Sequence, residues 1–197
     1  MSTSPTGGIA PFEIVGMAGS LRQASFNRSL LRAASEIAPA TLHITVHDLL
    51  PIPLYNADVE ARGVPEAVAE LRQAVKDADG LLISTPEYNH GVPGVLKNAI
   101  DWLSRPPRGS ALSGKPAAIM GASPGTTGTA RSQSQLRQAF VFTNTYAMPQ
   151  PEVLVGRAHE KFDESGALKD EATRRFLAQF LEAFAGWLSH FVVRPGS

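Results

Sequence analysis

The chain has no cysteine among its 197 residues. This absence excludes disulfide bonds, a thiolate nucleophile, and zinc or iron–sulfur sites held by cysteine. A domain of this length buries roughly 70% of the surface that its unfolded chain exposes, so a hydrophobic core of ordinary size is enough to stabilise it without cross-links.

An excess of one charge and long apolar runs are absent as well. The 18 basic side chains balance the 18 acidic ones, which argues against a nucleic acid or another polyanion as partner. No uninterrupted apolar run approaches the roughly 20 residues of a membrane span. Residues 1–10 lack the basic start and the apolar stretch of a signal peptide. We therefore expect a cytoplasmic protein with neither a membrane nor a nucleic acid as partner.

Short apolar segments alternate with helical patterns along the chain. Strands are predicted at residues 12–17, 41–46, 80–84 and 117–121 and near 152–155, and helices at 28–38, 65–78, 95–103, 131–142 and 171–191. This alternation predicts an α/β fold, in which a parallel sheet carries helices on both faces. We expect one domain over residues 12–192, with 1–11 and 193–197 as flexible termini.

Three loops of unusual composition follow the first, third and fourth predicted strands. They are loop 1 (residues 19–27, GSLRQASFN), loop 2 (residues 85–93, TPEYNHGVP) and loop 3 (residues 121–128, GASPGTTG). Ligands of open parallel sheets bind outside the carboxyl ends of the strands, so the tips of these loops should converge on one site.

Loop 1 combines hydroxyls, an amide and a guanidinium immediately before a helix. Free N–H groups and the positive end of the helix dipole favour an anion there. Ser20, Ser25 and Asn27 can donate to phosphate oxygens, and Arg22 adds a charge-assisted contact. Ser25 and Asn27 are also ordinary N-cap residues, so a capped loop without a ligand explains the pattern equally well. The spacing matches neither the dinucleotide fingerprint nor a P-loop.

Loops 2 and 3 suit a planar ring. In loop 2, two prolines stiffen a segment that presents Tyr88 and an amide, although a tight turn whose tyrosine covers the sheet edge is the alternative. In loop 3, three glycines would let the backbone approach a ligand, and a mobile surface loop is the alternative. Together the loops offer a phosphate pocket beside a flat, polar-edged slot. FMN fits this shape better than ATP, because no Mg²⁺-binding Ser/Thr or Walker aspartate is apparent.

Several segments share one register with a known family, from about Phe12 to Phe191. They are residues 19–22 (GSLR) with Ser25 and Asn27, residues 85–89 (TPEYN), residues 93–94 (PG) and residues 97–102 (KNAIDW). These segments resemble the NADPH-dependent FMN reductase family, and within it the bacterial quinone and chromate reductases. The resemblance implies a flavodoxin-like three-layer fold with a five-stranded parallel sheet in the order 2-1-3-4-5, and bound FMN.

The resemblance also implies a set of cofactor contacts. It places the FMN phosphate at Ser20, Arg22, Ser25 and Asn27, the edge of the isoalloxazine ring at the backbone of Pro86, Glu87, Tyr88 and Asn89, and the pyrimidine end of the ring at Ser123.

The activity implied by the resemblance is that of an NAD(P)H-dependent quinone reductase. NADPH or NADH would give a hydride to FMN N5 and leave before the acceptor binds. Chromate, azo and nitro compounds and free flavin are further expected acceptors. No side chain is expected to act as a catalytic acid or base. A homodimer, or a tetramer of paired dimers, is implied as well.

Two other functions remain open at this point. One is a flavodoxin-type electron carrier without NAD(P)H turnover, which the neutral net charge disfavours because such carriers are typically acidic. The other is a nucleotide-binding regulatory protein without redox activity. A metal site is not expected, because His43 and His47 would lie about 13 Å apart in a predicted strand. Lys97 and Asp101 are expected to form an exposed helical pair, and Trp102 to be in the core.

Overall fold

The computed structural model describes residues 10–192. Its strands are β1 (Phe12–Ala18), β2 (Leu42–His47), β3 (Gly80–Ser84), β4 (Pro116–Ala122), β5 (Tyr146–Ala147) and β6 (Val153–Val155). Its helices are α1 (Phe26–Ile37), α2 (Ala57–Arg62), α3 (Glu66–Asp77), α4 (Gly94–Leu103), α5 (Ala130–Thr143), α6 (Ala158–Lys161) and α7 (Glu171–Leu188). Apart from residues 10 and 11, the termini expected to be flexible lie outside the described residues.

All strand pairs in the sheet are parallel, and the strand order is β2-β1-β3-β4-β5. This confirms the expected α/β fold and the order 2-1-3-4-5. The expectation of five strands is wrong, because two short strands share the fifth position. β5 pairs with the start of β4 and β6 pairs with its end. Pro149 and Pro151 lie between them, and proline has no N–H to donate to a ladder, which accounts for the interruption.

Helices cover both faces of the sheet, and each face has its own core. On one face α1 and α7 pack with Leu30, Leu31, Phe180 and Phe184. On the other face α3, α4 and α5 contribute side chains that include Trp102, which is fully buried as expected. Every residue of β3 is buried, as is typical of a central parallel strand.

Capping side chains explain where three of the helices within residues 10–192 begin. α1 begins at Phe26 because the hydroxyl of Ser25 accepts a hydrogen bond from the N–H of Asn27. The unpredicted helix α2 begins in the same way at Ala57, because the side chain of Asn56 accepts from the N–H of Asp58. In α7, Phe180, Phe184 and Leu188 of the expected core stripe are buried and Phe176 is exposed. The helix ends at Leu188, before the predicted end at residue 191, so Phe191, which is also exposed, lies beyond it. Within residues 10–192, no helix is long and apolar enough to cross a membrane.

Candidate functional site

Loops 1, 2 and 3 meet at the carboxyl ends of β1, β3 and β4, around a cleft of about 70 Å³. Its lining residues are Arg22, Ser25, Phe26, Asn27, Pro86, Glu87, Tyr88, Ala122, Ser123 and Pro124. The fold thus brings together seven of the nine site residues expected from the sequence. Ser20 and Asn89 do not line the cleft, although the hydroxyl of Ser20 lies 3.3 Å from that of Tyr88.

Loop 1 has the properties of an anion site. The N–H groups of residues 20–24 and of Phe26 have no protein acceptor within residues 10–192. They precede a helix of 12 residues, whose dipole places positive potential at the same point. The guanidinium of Arg22 is exposed and lies 5.9 Å from the centre of the Phe26 ring. Loop 1 can therefore hold a phosphate with backbone donors and one charged side chain.

Asn27 is buried and ties loop 1 to the ends of two strands. Its Oδ1 accepts from the N–H of Ala122 at 2.9 Å and from the hydroxyl of Ser84 at 3.1 Å. Its Nδ2 donates to the carbonyl of Ala122 at 2.8 Å. One amide hydrogen is left over for a ligand. The expected phosphate contact stays a prediction, and the observed contacts give Asn27 a positioning role as well.

Loop 2 reverses direction in a tight turn. The backbone groups of Tyr88 and Gly91 bond each other, at 3.2 and 3.0 Å. Asn89 and His90 between them have left-handed backbone, with φ of 51° and 62°. Asparagine and histidine adopt this conformation more readily than most residues. The turn leaves the Tyr88 ring half exposed, at 52%, beside the cleft.

The side chain of Glu87 caps helix α5, a contact that the sequence analysis did not predict. Its Oε2 accepts from the N–H groups of Arg131 and Ser132, at 2.9 and 3.2 Å. The carboxylate is only 9% exposed. A carboxylate at a helix N-terminus satisfies free N–H groups and the dipole together. Only the backbone of Glu87 was expected at the ring, so its side chain adds a separate function.

Two further hydrogen bonds fasten loop 2 to α5. The hydroxyls of Thr85 and Ser132 lie 2.9 Å apart, and the N–H of Val92 donates to Gln135 at 2.6 Å. A Cβ at Gly91 would lie 2.8 Å from the Gln135 amide oxygen, so the Gln135 side chain would have to move. The wall of the cleft is therefore rigid, because both its ends are bonded to one helix.

Two of the three glycines of loop 3 are required by packing inside the protein, and the expectation that they let the backbone approach a ligand stays a prediction. A Cβ at Gly121 would collide with Thr129 and with the carbonyl of Thr85. A Cβ at Gly128 would lie 2.8 Å from the backbone of Leu154. Only Gly125 has open space around it, with its nearest neighbour at 3.5 Å.

Ser123 joins loop 3 to the strand and helix that follow. Its N–H donates to the carbonyl of Val155 at 2.9 Å, and its own carbonyl accepts from Ala158 at 3.0 Å. Its hydroxyl accepts from the N–H of Gly125 at 3.2 Å. The side chain therefore shapes the loop beside the cleft, and its expected contact with the pyrimidine end of a flavin stays a prediction.

The donors around the cleft fit FMN. Loop 1 presents unpaired N–H groups for a phosphate, and the N–H groups of Glu87 and Asn89 in loop 2 have no protein acceptor within residues 10–192. Pockets that enclose a whole ligand usually measure roughly 300–1,000 Å³. A cleft of about 70 Å³ would hold only part of a flavin, and the rest of the ring would be open to solvent.

Comparison with known proteins agrees with this geometry. The model of the NADPH-dependent FMN reductase family matches residues 12–160. The chain belongs to this family. An NAD(P)H-dependent FMN reductase of Pseudomonas aeruginosa is 47% identical over 176 residues, 89% of this chain and 95% of that protein. A quinone reductase of Escherichia coli is 42% identical over 179 residues, 89% of this chain and 95% of that protein.

Solved structures resemble the chain as well. The flavoenzyme NAD(P)H:acceptor oxidoreductase FerB of Paracoccus denitrificans has a TM-score of 0.85 at 36% identity, over 92% of this chain and 100% of that one. An archaeal flavodoxin has a TM-score of 0.60 at 8% identity, over 90% of this chain and 99% of that one, and shows the fold alone.

Family membership confirms several expectations. The fold is flavodoxin-like, the chain is an oxidoreductase, and its cofactor and electron donor are FMN and NAD(P)H. The alternatives of an electron carrier and of a regulatory protein without redox activity are therefore wrong, since the relatives are reductases.

The family segment on α4 bonds to the chain that follows β2. Asn98 accepts from the N–H of Tyr55 at 2.7 Å and donates to the carbonyl of Pro53 at 2.8 Å. The indole of Trp102 donates to the same carbonyl at 2.8 Å. Lys97 and Asp101 form the expected exposed pair at 2.6 Å. The segment therefore holds residues 53–55, which lie beyond β2, against α4.

Proposed function

We propose that the chain binds FMN across loops 1, 2 and 3 and passes electrons from NADPH or NADH to quinones. The observation that carries this proposal is the row of N–H groups in loop 1, at residues 20–24, that have no acceptor among residues 10–192 and stand beside the stiff wall of loop 2. Relatives named quinone reductases, 42–44% identical to the chain, support quinones as acceptors.

Bound FMN supplies a hydride acceptor at its N5 atom and then the reductant for the quinone. The chain contributes binding and orientation. Loop 1 neutralises the phosphate through backbone N–H groups and Arg22. Glu87 holds the wall of the cleft to α5, and its backbone N–H would be available to the edge of the ring; the contact of Asn89 stays a prediction. No side chain acts as a proton donor or acceptor in this scheme.

An open cleft also supports broad acceptor use. The donor and the acceptor would take turns at the same open side of the cleft, and this order of binding would give ping-pong kinetics. Chromate, azo and nitro compounds and free flavin are further acceptors on this proposal, since a shallow site makes few contacts that reject a small oxidant. The cytoplasm, where reduced nicotinamide nucleotides are available, is the proposed location.

A homodimer, or a tetramer of paired dimers, forms part of the proposal. Large apolar side chains are exposed at Leu54 (82%), Val141 (83%) and Phe142 (91%). Exposed apolar groups of this size favour association. Sedimentation of the FMN-bound protein measures the state directly, and a monomer at all concentrations would contradict this part.

The activity is tested with purified protein saturated with FMN. Visible spectra report flavin binding, and the loss of absorbance at 340 nm reports oxidation of NADPH or NADH with benzoquinone, chromate or free FMN as acceptor. Initial rates that give parallel double-reciprocal lines support ping-pong transfer. A protein that binds flavin but oxidises neither nucleotide with benzoquinone present would contradict the proposal.

A further inference from the structure

A second cavity, of about 460 Å³, is lined in part by Gln23 of loop 1. It opens between α1 and the carboxyl end of β2, and its lining residues are Ala18, Gln23, Arg28, Leu31, Arg32, Ser35, Val46, His47 and Asp48. Its volume is within the range of pockets that enclose small ligands. Loop 1 borders both sites, because Arg22 lines the cleft between loops 1, 2 and 3, and the next residue, Gln23, lines this cavity.

The cavity combines an apolar floor with cationic groups. Ala18, Leu31 and Val46 supply the apolar surface, and the two arginines lie one helical turn apart on α1. Arginine pairs in this arrangement suit a phosphate, whose oxygens accept from several guanidinium N–H groups at once. The apolar floor suits a planar base next to the phosphate.

Both guanidiniums are held in place and keep free donors. Arg28 donates to Oδ2 of Asp48 from both terminal nitrogens, at 3.1 and 3.2 Å. Arg32 donates from Nη2 to the carbonyls of Ser165 and Gly166, at 3.3 and 2.8 Å. A guanidinium has five N–H groups, so each arginine retains others for a ligand.

Two carboxylates limit the positive charge of the cavity. Glu36 lies 4.0 Å from Arg32, and Asp48 pairs with Arg28. Burial acts to raise the pKa of the Asp48 carboxyl. The hydrogen bonds that it accepts from the N–H of Leu50 and from Arg28 together outweigh this effect, so the pKa lies below its ordinary value. Asp48 is therefore ionised at neutral pH, and an incoming phosphate meets attraction from Arg28 and repulsion from Asp48.

We propose that this cavity binds the adenosine 2′-phosphate end of NADPH, with Arg28 and Arg32 as the phosphate contacts. The inference rests on the proposed function, which requires a nicotinamide nucleotide at the cleft between loops 1, 2 and 3, and loop 1 borders both this cleft and the cavity. NADH lacks the 2′-phosphate and gains nothing from the two arginines. Arg28 and Arg32 thereby determine the preference for NADPH over NADH.

The kinetic test compares the two nucleotides in the FMN-bound protein. Arg28→Ala should raise KM for NADPH roughly five- to ten-fold, since a charge-assisted contact at a partly exposed site is lost. KM for NADH should change less than two-fold, and kcat should change little because binding to substrate and transition state is affected equally. Arg175→Ala, at an exposed arginine of α7, is the matched control and should change neither KM.

The direction in which Asp48→Asn changes KM for NADPH shows whether Arg28 binds the nucleotide or only supports the fold. If Arg28 binds the 2′-phosphate, removal of the neighbouring negative charge should lower KM for NADPH, by roughly two-fold. If the Arg28–Asp48 pair only supports the fold, both variants should impair activity in the same direction for both nucleotides. That second outcome would overturn the inference.

Direct binding distinguishes the sources of phosphate and does not depend on activity. Calorimetric titration should show that 2′,5′-ADP binds, that 5′-AMP binds at least ten-fold more weakly, and that Arg28→Ala removes the difference. Inorganic phosphate that displaces 2′,5′-ADP at equal concentration would show a site for free phosphate and contradict the nucleotide assignment. If the wild-type protein oxidises neither nucleotide, the proposed function fails, while this titration still decides the inference.

Discussion

Replacement of Glu87 by alanine tests the connection between loop 2 and α5. The change removes a carboxylate that is 9% exposed and accepts two backbone hydrogen bonds at the start of a helix of 14 residues. Loss of an N-terminal cap costs about 0.5–2 kcal/mol, and a favourable charge at a partly buried helix N-terminus contributes up to about 2 kcal/mol. Because these two contributions overlap, we expect Glu87→Ala to lower the free energy of unfolding by about 2 kcal/mol.

Thermal unfolding with saturating FMN measures this loss. For a protein of this size, 1 kcal/mol corresponds to about 2–4 °C in Tm, so Glu87→Ala should melt about 4–8 °C lower. Glu87→Gln keeps one acceptor oxygen but not the charge, and should lose about half as much. Glu182→Ala, at an exposed glutamate of α7, is the control and should stay within about 0.5 kcal/mol of the wild type.

Flavin affinity gives the second readout for Glu87. If its carboxylate positions loop 2, Glu87→Ala should weaken FMN binding and Glu87→Gln should restore part of it. A Glu87→Ala variant that melts at the wild-type temperature and binds FMN with unchanged affinity would refute the reasoning, because the two hydrogen bonds would then stabilise nothing.

Three further predictions concern single residues. Arg22→Ala should weaken FMN binding about five-fold, or about 1 kcal/mol, since its guanidinium is exposed. The affinity is measured by titration, from the quenching of flavin fluorescence. An unchanged affinity would assign phosphate binding to the backbone alone. Asn27→Ala leaves the buried N–H and carbonyl of Ala122 without their partner, and should cost about 2–3 kcal/mol in urea unfolding. Hydrogen bonds from Thr173, followed by one from Lys161, lower the pKa of Asp170 from 3.8 to about 2. The ionised form of Asp170 thus stabilises the fold fully above pH 4, and this contribution is lost as the pH falls from about 4 to 2. In the Asp170→Asn variant, Tm should therefore fall less steeply over that range than in the wild type. The same dependence of Tm on pH in both proteins would contradict the assignment.

The sequence by itself determined the order of strands and helices and the place of the site. Apolar runs that end in glycine-rich or proline-rich loops are local signals, so β3 was predicted at residues 80–84 as the structure has it. The position of loops 1, 2 and 3 at one edge of the sheet follows from the parallel topology. The split of the last strand position was missed, because β5 has only two residues and carries no periodicity.

Tertiary structure alone decided what the individual side chains do in the site. Glu87 bonds an N–H 44 residues away, and Asn27 bonds a strand end 95 residues away. No pattern in a single sequence pairs such positions, because the distance between them depends on how the helices pack on the sheet. Arg28 and Arg32 stand at helical spacing in the sequence, yet only the packing of α1 beside the end of β2 places both in one cavity. The sequence therefore determined where the site lies, and long-range packing decided which groups it presents.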